Sequence, residues 1–115
     1  MNQAQLFDDS GKVLRDLGMQ TAIDHANSDS PGWSERAYEA LKEYLKRHSG
    51  EFMGEDVRLW AYQDYKLERA DNHRAWGSVI NRAARNGLIR KVGIRQVANP
   101  VAHCANANVW SRGLA

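Results

Sequence analysis

Arg74, Ser78, Asn81, Arg82 and Arg85 follow one another at spacings of one, three and four residues. At 100° per residue these spacings put all five on one side of a helix. Trp76, Val79, Ile80 and Ala83 fall on the other side, with the mean directions about 165° apart. These outward side chains are not a set for proton transfer or nucleophilic attack. They are recognition groups: a carboxamide offers the donor–acceptor pair that matches an adenine edge, and a guanidinium fork matches guanine or a phosphate. Ser78 is short enough for close approach, and the small residues Ala75, Gly77 and Ala84 are expected to flank this face without blocking it. Arg90, Lys91 and Arg95 follow as further cations, with Gln96, Asn99 and His103 beyond them. Each base contact is worth ~1–3 kcal/mol of discrimination, whereas phosphate contacts give an affinity that falls with salt.

The remaining reactive side chains form no such set. His25, His48, His73 and His103 are spread over different stretches, and His48 falls on an apolar stripe, where a buried or half-buried structural role is expected. His103 and Cys104 are chain neighbours and do not easily face each other as base and nucleophile. There is no HExxH, no paired CxxC, no phosphate-cradling glycine loop and no nucleophile elbow. Asp8 and Asp9 read as helix-capping residues rather than a metal pair. The expectation is therefore not an enzyme, with no catalytic, cofactor-binding or metal-ligating residues. Trp33, Trp60, Trp76 and Trp110 each sit among apolar positions of helices or strands and are expected in the core. Such placement disfavours a single-strand binder, which needs exposed stacking platforms.

Charge is distributed unevenly. The chain of 115 residues carries a net charge of only +2. Residues 1–65 hold 7 Lys and Arg against 12 Asp and Glu, and residues 66–115 hold 9 against 2, giving −5 and +7. A split of this kind implies one surface that attracts polyanions while the rest does not. The length fits one domain with a small core. No apolar run approaches the ~20 residues of a membrane span, and the first residues lack a basic-then-apolar export signal. A single cysteine, Cys104, excludes an intramolecular disulfide and suits a reducing compartment. A soluble, cytoplasmic protein with no membrane partner is expected.

Several elements must position the polar face. Asp9 or Ser10 is expected to cap a first helix over about 11–26. That helix carries two stripes, one of Val13, Leu14 and Leu17 and another of Met19, Ala22, Ile23 and Ala26. Two stripes imply either a homodimer or partner contact, or a helix sunk deeper into its own domain. The turn formers of residues 27–32 lead into a second helix over about 34–48, buried through Ala37, Ala40, Leu41, Tyr44, Leu45 and His48. A brief strand is expected at 51–53. A third helix from Gly54 to about Tyr65 is apolar on more than one side and is expected to be the most enclosed. Asp71 or Asn72 caps the fourth, 72–86, which stops at Asn86–Gly87. Strands over 88–95 and 107–111, joined by a long loop, form a hairpin.

The order helix, helix, short strand, helix, helix, strand, long loop, strand resembles the winged-helix domain, a helix-turn-helix variant, here with an added N-terminal helix. The resemblance covers about residues 33–112 and rests on FMGEDVR, RAWGSVINRAARNGLIRKVG and a hairpin closed by VW. It is similar in these details to small winged-helix proteins of bacteriophages and mobile elements, with His73 between Asn72 and Arg74 as a departure from their pattern. The resemblance implies a mainly α fold with a small β-hairpin, in a single domain over 1–115. It further implies double-stranded DNA as partner, the fourth helix in the major groove and the 88–112 hairpin as the wing. The DNA-binding set would be Arg74, Ser78, Asn81, Arg82, Arg85, Arg90, Lys91 and Arg95. The role would lie in replication or transcriptional regulation. The alternative is a protein-interaction module directed at host or phage replication or defence proteins. In that case the acidic half and the first helix would be the working surface.

Overall fold

The second helix shows most directly how this chain folds. In the computed structural model, which describes residues 3–96 and 106–113, α2 runs Trp33–Arg47 and buries Trp33, Ala37, Tyr38, Ala40, Leu41, Tyr44 and Leu45 on one face. Gly32 turns the chain with φ 78°, and the Oδ1 of Asn27 accepts the Ser34 N–H at 2.9 Å. His48 lies just past the helix and is exposed rather than buried. Its ring stacks on Tyr44 at 4.2 Å, which keeps the imidazole against the protein while its edge meets water. Burial, and secondarily the charge of Asp56, holds the Tyr44 phenol above its ordinary value of 10.0.

Before α2 comes α1, Gln3–Asp29, which is longer than its spacing predicts. Asp9 and Ser10 therefore lie inside the helix and do not cap it. The structure separates the two apolar stripes: Ala22, Ile23 and Ala26 are core residues, whereas Val13, Leu14 and Leu17 are exposed. The Met19–Ile23 face is thus used within the chain.

Strand β1, Phe52–Met53, leads directly into α3, Gly54–Gln63, where the Oδ2 of Asp56 accepts the Met53 N–H at 2.9 Å. Only Val57 and Ala61 of α3 are fully buried, so it is not the most enclosed helix. Of its other apolar side chains, Leu59 is exposed, and Trp60 and Tyr62 are half-buried against the core. The more deeply held helix is α4, Ala75–Arg85, with Ala75, Trp76, Val79, Ile80 and Ala83 all buried. It ends where expected, with Gly87 at φ 77° after Asn86.

Strands β2, Ile89–Gln96, and β3, Asn106–Arg112, pair antiparallel, and β3 also pairs with β1, giving the order β1-β3-β2. Lys91 opposes Trp110 and Gly93 opposes Val109, so Val92 is an extra residue on β2. This bulge is the reason the apolar alternation of β2 is imperfect and leaves Val92 and Ile94 exposed. The architecture is mainly helical with a small antiparallel sheet.

The core is centred on Trp33, which meets Trp76 edge-on at 5.5 Å. Both indole N–H groups are satisfied: Trp33 Nε1 donates to the Glu68 carbonyl at 2.7 Å and Trp76 Nε1 to the Tyr62 hydroxyl at 2.9 Å. Trp110 is buried and Trp60 half-buried against the same cluster, so all four tryptophans are core aromatics. Among the described residues no helix is long and apolar enough to cross a membrane.

Candidate nucleic-acid interface

The apolar face of α4 fixes its rotation, and the polar face is turned away from the core. At its start the Oδ1 of Asn72 accepts the Arg74 N–H at 3.0 Å, ordering the turn that feeds the helix. Arg74 and Arg85 are exposed, and Ser78, Asn81 and Arg82 are half-buried. Arg90, Lys91 and Arg95 are exposed on β2, which follows α4 after the Gly87 turn. The expected helix over 72–86 begins at Ala75, because Asn72–Arg74 form a turn instead, so Arg74 stands just before α4 while the other predicted residues lie on α4 and the adjoining strand. Asn99 and His103 lie outside the described residues, as does the side chain of Gln96.

The cations are not equivalent. Arg82 Nη1 donates to Glu35 Oε1 at 2.9 Å, and its guanidinium lies over the Tyr38 ring. This corrects the expectation of a free outward arginine, because α2 holds Arg82 through both an ion pair and an aromatic face. Arg95 approaches Glu51 at 3.5 Å, a looser contact between two exposed side chains. Arg74, Arg85, Arg90 and Lys91 form no ion pair with any described acidic residue.

Two flanking residues also differ from expectation. Ala75 is fully buried, so it does not border the polar face. Gly77 does border it, but α1 packs there: a Cβ at Gly77 would overlap Met19 Sδ. A Cβ at Gly18 would lie 3.2 Å from Arg74 Nη1. The two helices thus cross with a glycine of each facing a long side chain of the other. The Nδ2 of Asn81 points to Met19 Sδ at 3.8 Å, and this crossing is why Ser78 and Asn81 are only half exposed.

Arg15 and Arg58 join this region without having been expected there. Arg15 borders the surface beside Ser78, Asn81 and Arg85. With Arg58 and His73 it also rims a groove floored by Met53, Trp76, Ile80 and Trp110. Arg15 shares a helix face with Met19, four residues on, so its spacing carries the signal. Which surface that face meets is not written in α1 itself.

At the other end of the crossing His25 Nε2 lies 3.1 Å from Asp29 and 3.2 Å from Asp71. All three residues are exposed, and the His25–Asp71 hydrogen bond ties α1 to the entry of α4. The donor types would suit a divalent cation, but nothing buried or preformed holds them apart for one.

No match to this chain was found among protein-family models, curated proteins or solved structures. The surface presents its own chemistry: Arg85, Arg90 and Lys91 on α4 and β2, unpaired among the described residues, with the hydroxyl of Ser78 and the amide of Asn81 on the same helix.

Proposed function

We propose that the chain is a winged-helix, double-stranded DNA-binding protein, with α4 as the reading helix and the β2–β3 hairpin as the wing. The observation that carries this reading is the set Arg74, Arg85, Arg90 and Lys91, exposed at the start of α4, on α4 and on β2, and unpaired among the described residues. Charges left without a partner keep their full attraction for a polyanion, whereas a paired arginine must first lose its own contact. The helix–strand–helix–helix–strand–strand order from α2 onward and the β1-β3-β2 sheet support the same reading. Such a layout places a docked helix beside a two-stranded projection, the arrangement that enters a groove and grips its edge. Asn81 and Ser78 would touch bases and the cations mainly phosphates. No catalytic, metal or cofactor role is proposed. The biological setting proposed is replication or transcriptional regulation in a phage or mobile element, in the cytoplasm.

The test is a mobility shift on random-sequence and selected duplexes over a range of salt. Affinity falling steeply with salt, and lost on Arg74→Ala with Arg85→Ala, supports the reading. Absence of binding to any duplex at low salt overturns it.

A second reading has its own observation. Val13, Leu14 and Leu17 stand 53%, 68% and 57% exposed along α1. An apolar stripe in water favours a protein contact, either a second copy of the chain or a replication protein. Leu14→Asp with Leu17→Asp, followed by light scattering, tests the homodimer; an unchanged mass in both forms removes it.

A further inference from the structure

We infer that the stretch Val13–Gln20 of α1 is a movable cover on the reading face of α4, closed in the free protein and displaced when a duplex binds. The inference rests on the duplex-binding reading above and adds a step to it.

The geometry points to a cover for three reasons. First, α1 crosses α4 along Gly77 and Asn81, where it overlaps the edge of the polar side of that helix. Met19 seats on Gly77, Arg74 passes Gly18, and Asn81 turns its amide to the Met19 sulfur. A helix in the major groove needs that same side open along its length.

Second, the groups under the cover are poorly served by it. The Asn81 amide has a thioether as its side-chain partner among the described residues, at 3.8 Å, and a sulfur is a weak acceptor. A base edge would offer Asn81 both a donor and an acceptor.

Third, α1 is held unevenly. Around Ala22, Ile23 and Ala26 it is part of the core, and His25 clasps Asp71. Around Val13, Leu14 and Leu17 its apolar side chains face water. The core end costs much to detach, so movement is confined to the part before Ala22, which overlies Gly77, Ser78 and Asn81 and carries no core residue. The close crossing depends on Gly77 lacking a side chain, which makes the closed position a specific fit rather than a loose overlap.

A reversible lock tests this. A Cβ at Gly77 would lie 3.1 Å from Met19 Cγ. That is close to the ~3 Å Cβ-to-Sγ span implied by disulfide geometry. Met19→Cys with Gly77→Cys, in a Cys104→Ser background, should therefore form a disulfide without moving either helix. The comparison is between the two redox states of this one protein, and in the reduced state it should shift duplex DNA at low salt. Oxidised, it should bind at least tenfold more weakly, and reductant should restore binding. Equal affinity of the oxidised and reduced forms overturns the cover while leaving duplex binding intact. Failure of wild type and reduced protein alike to bind duplex at low salt overturns the duplex reading itself, and the cover with it.

Hydrogen exchange on the wild-type chain provides a check that needs no substitution. Amides of residues 13–20 should exchange faster when saturating duplex is added, while those of residues 22–26 stay unchanged. Unchanged or slowed exchange at 13–20 in the bound protein overturns the cover.

Discussion

The guanidinium of Arg82 lies 4.0 Å from the centre of the Tyr38 ring, capping an aromatic side chain that itself belongs to the core. With Glu35 on its other side, Arg82 fastens α4 to α2 and is only 38% exposed. Its role is thus separable from those of the neighbouring arginines, although all share one helix face.

Arg82→Ala should destabilise the fold and change DNA affinity little. An exposed ion pair contributes ~0.2–1 kcal/mol and a cation–aromatic contact ~0.5–1 kcal/mol, so a loss of about 1 kcal/mol is expected in urea unfolding. A drop in duplex affinity larger than that for Arg85→Ala, with unchanged stability, would place Arg82 on the DNA instead.

Arg90→Ala with Lys91→Ala should do the opposite. Each phosphate contact adds ~0.9 to the slope of log affinity against log salt, so the double variant should flatten the slope by about 1.8. The urea midpoint should stay where it is, because both side chains are exposed and neither is paired among the described residues.

Tyr62→Phe removes one hydroxyl and leaves two donors without a partner. The Tyr62 hydroxyl accepts from Trp76 Nε1 at 2.9 Å and from the Ala70 N–H at 3.3 Å. Leaving a buried indole N–H unpaired costs ~1–3 kcal/mol. Thermal or urea unfolding reads this directly, and a change below about 0.5 kcal/mol would mean that water replaces the hydroxyl.

Tyr44 predicts an alkaline sensitivity. Burial raises its pKa in the folded state, so the folded chain holds the phenolic proton more tightly than the unfolded chain does. The stabilisation this gives is fully present below the unfolded value of 10.0 and is lost as pH rises through the higher folded value. Tyr44→Phe, which has no proton to lose, should lose less stability than wild type between neutral pH and pH above about 10, the unfolded phenol value. Parallel curves for the two proteins would show that the phenol is not part of the alkaline transition.

By itself the sequence determined the local elements and their inward faces. The stripe of α2, the stop at Gly87, the polar side of α4 and the core placement of the tryptophans follow from periodicity and turn chemistry, which act over a few residues. Other features were decided only by tertiary packing, because they join residues distant in the chain. Glu35 and Tyr38 claim Arg82, Asn27 rather than a nearby serine serves Ser34, and the bulge at Val92 shifts the register of β2. The two stripes of α1 were both legible, and nothing local said which would be buried. That choice depended on Gly77, far along the chain, leaving a notch into which Met19 fits, and the same fit lays α1 over the polar side of α4.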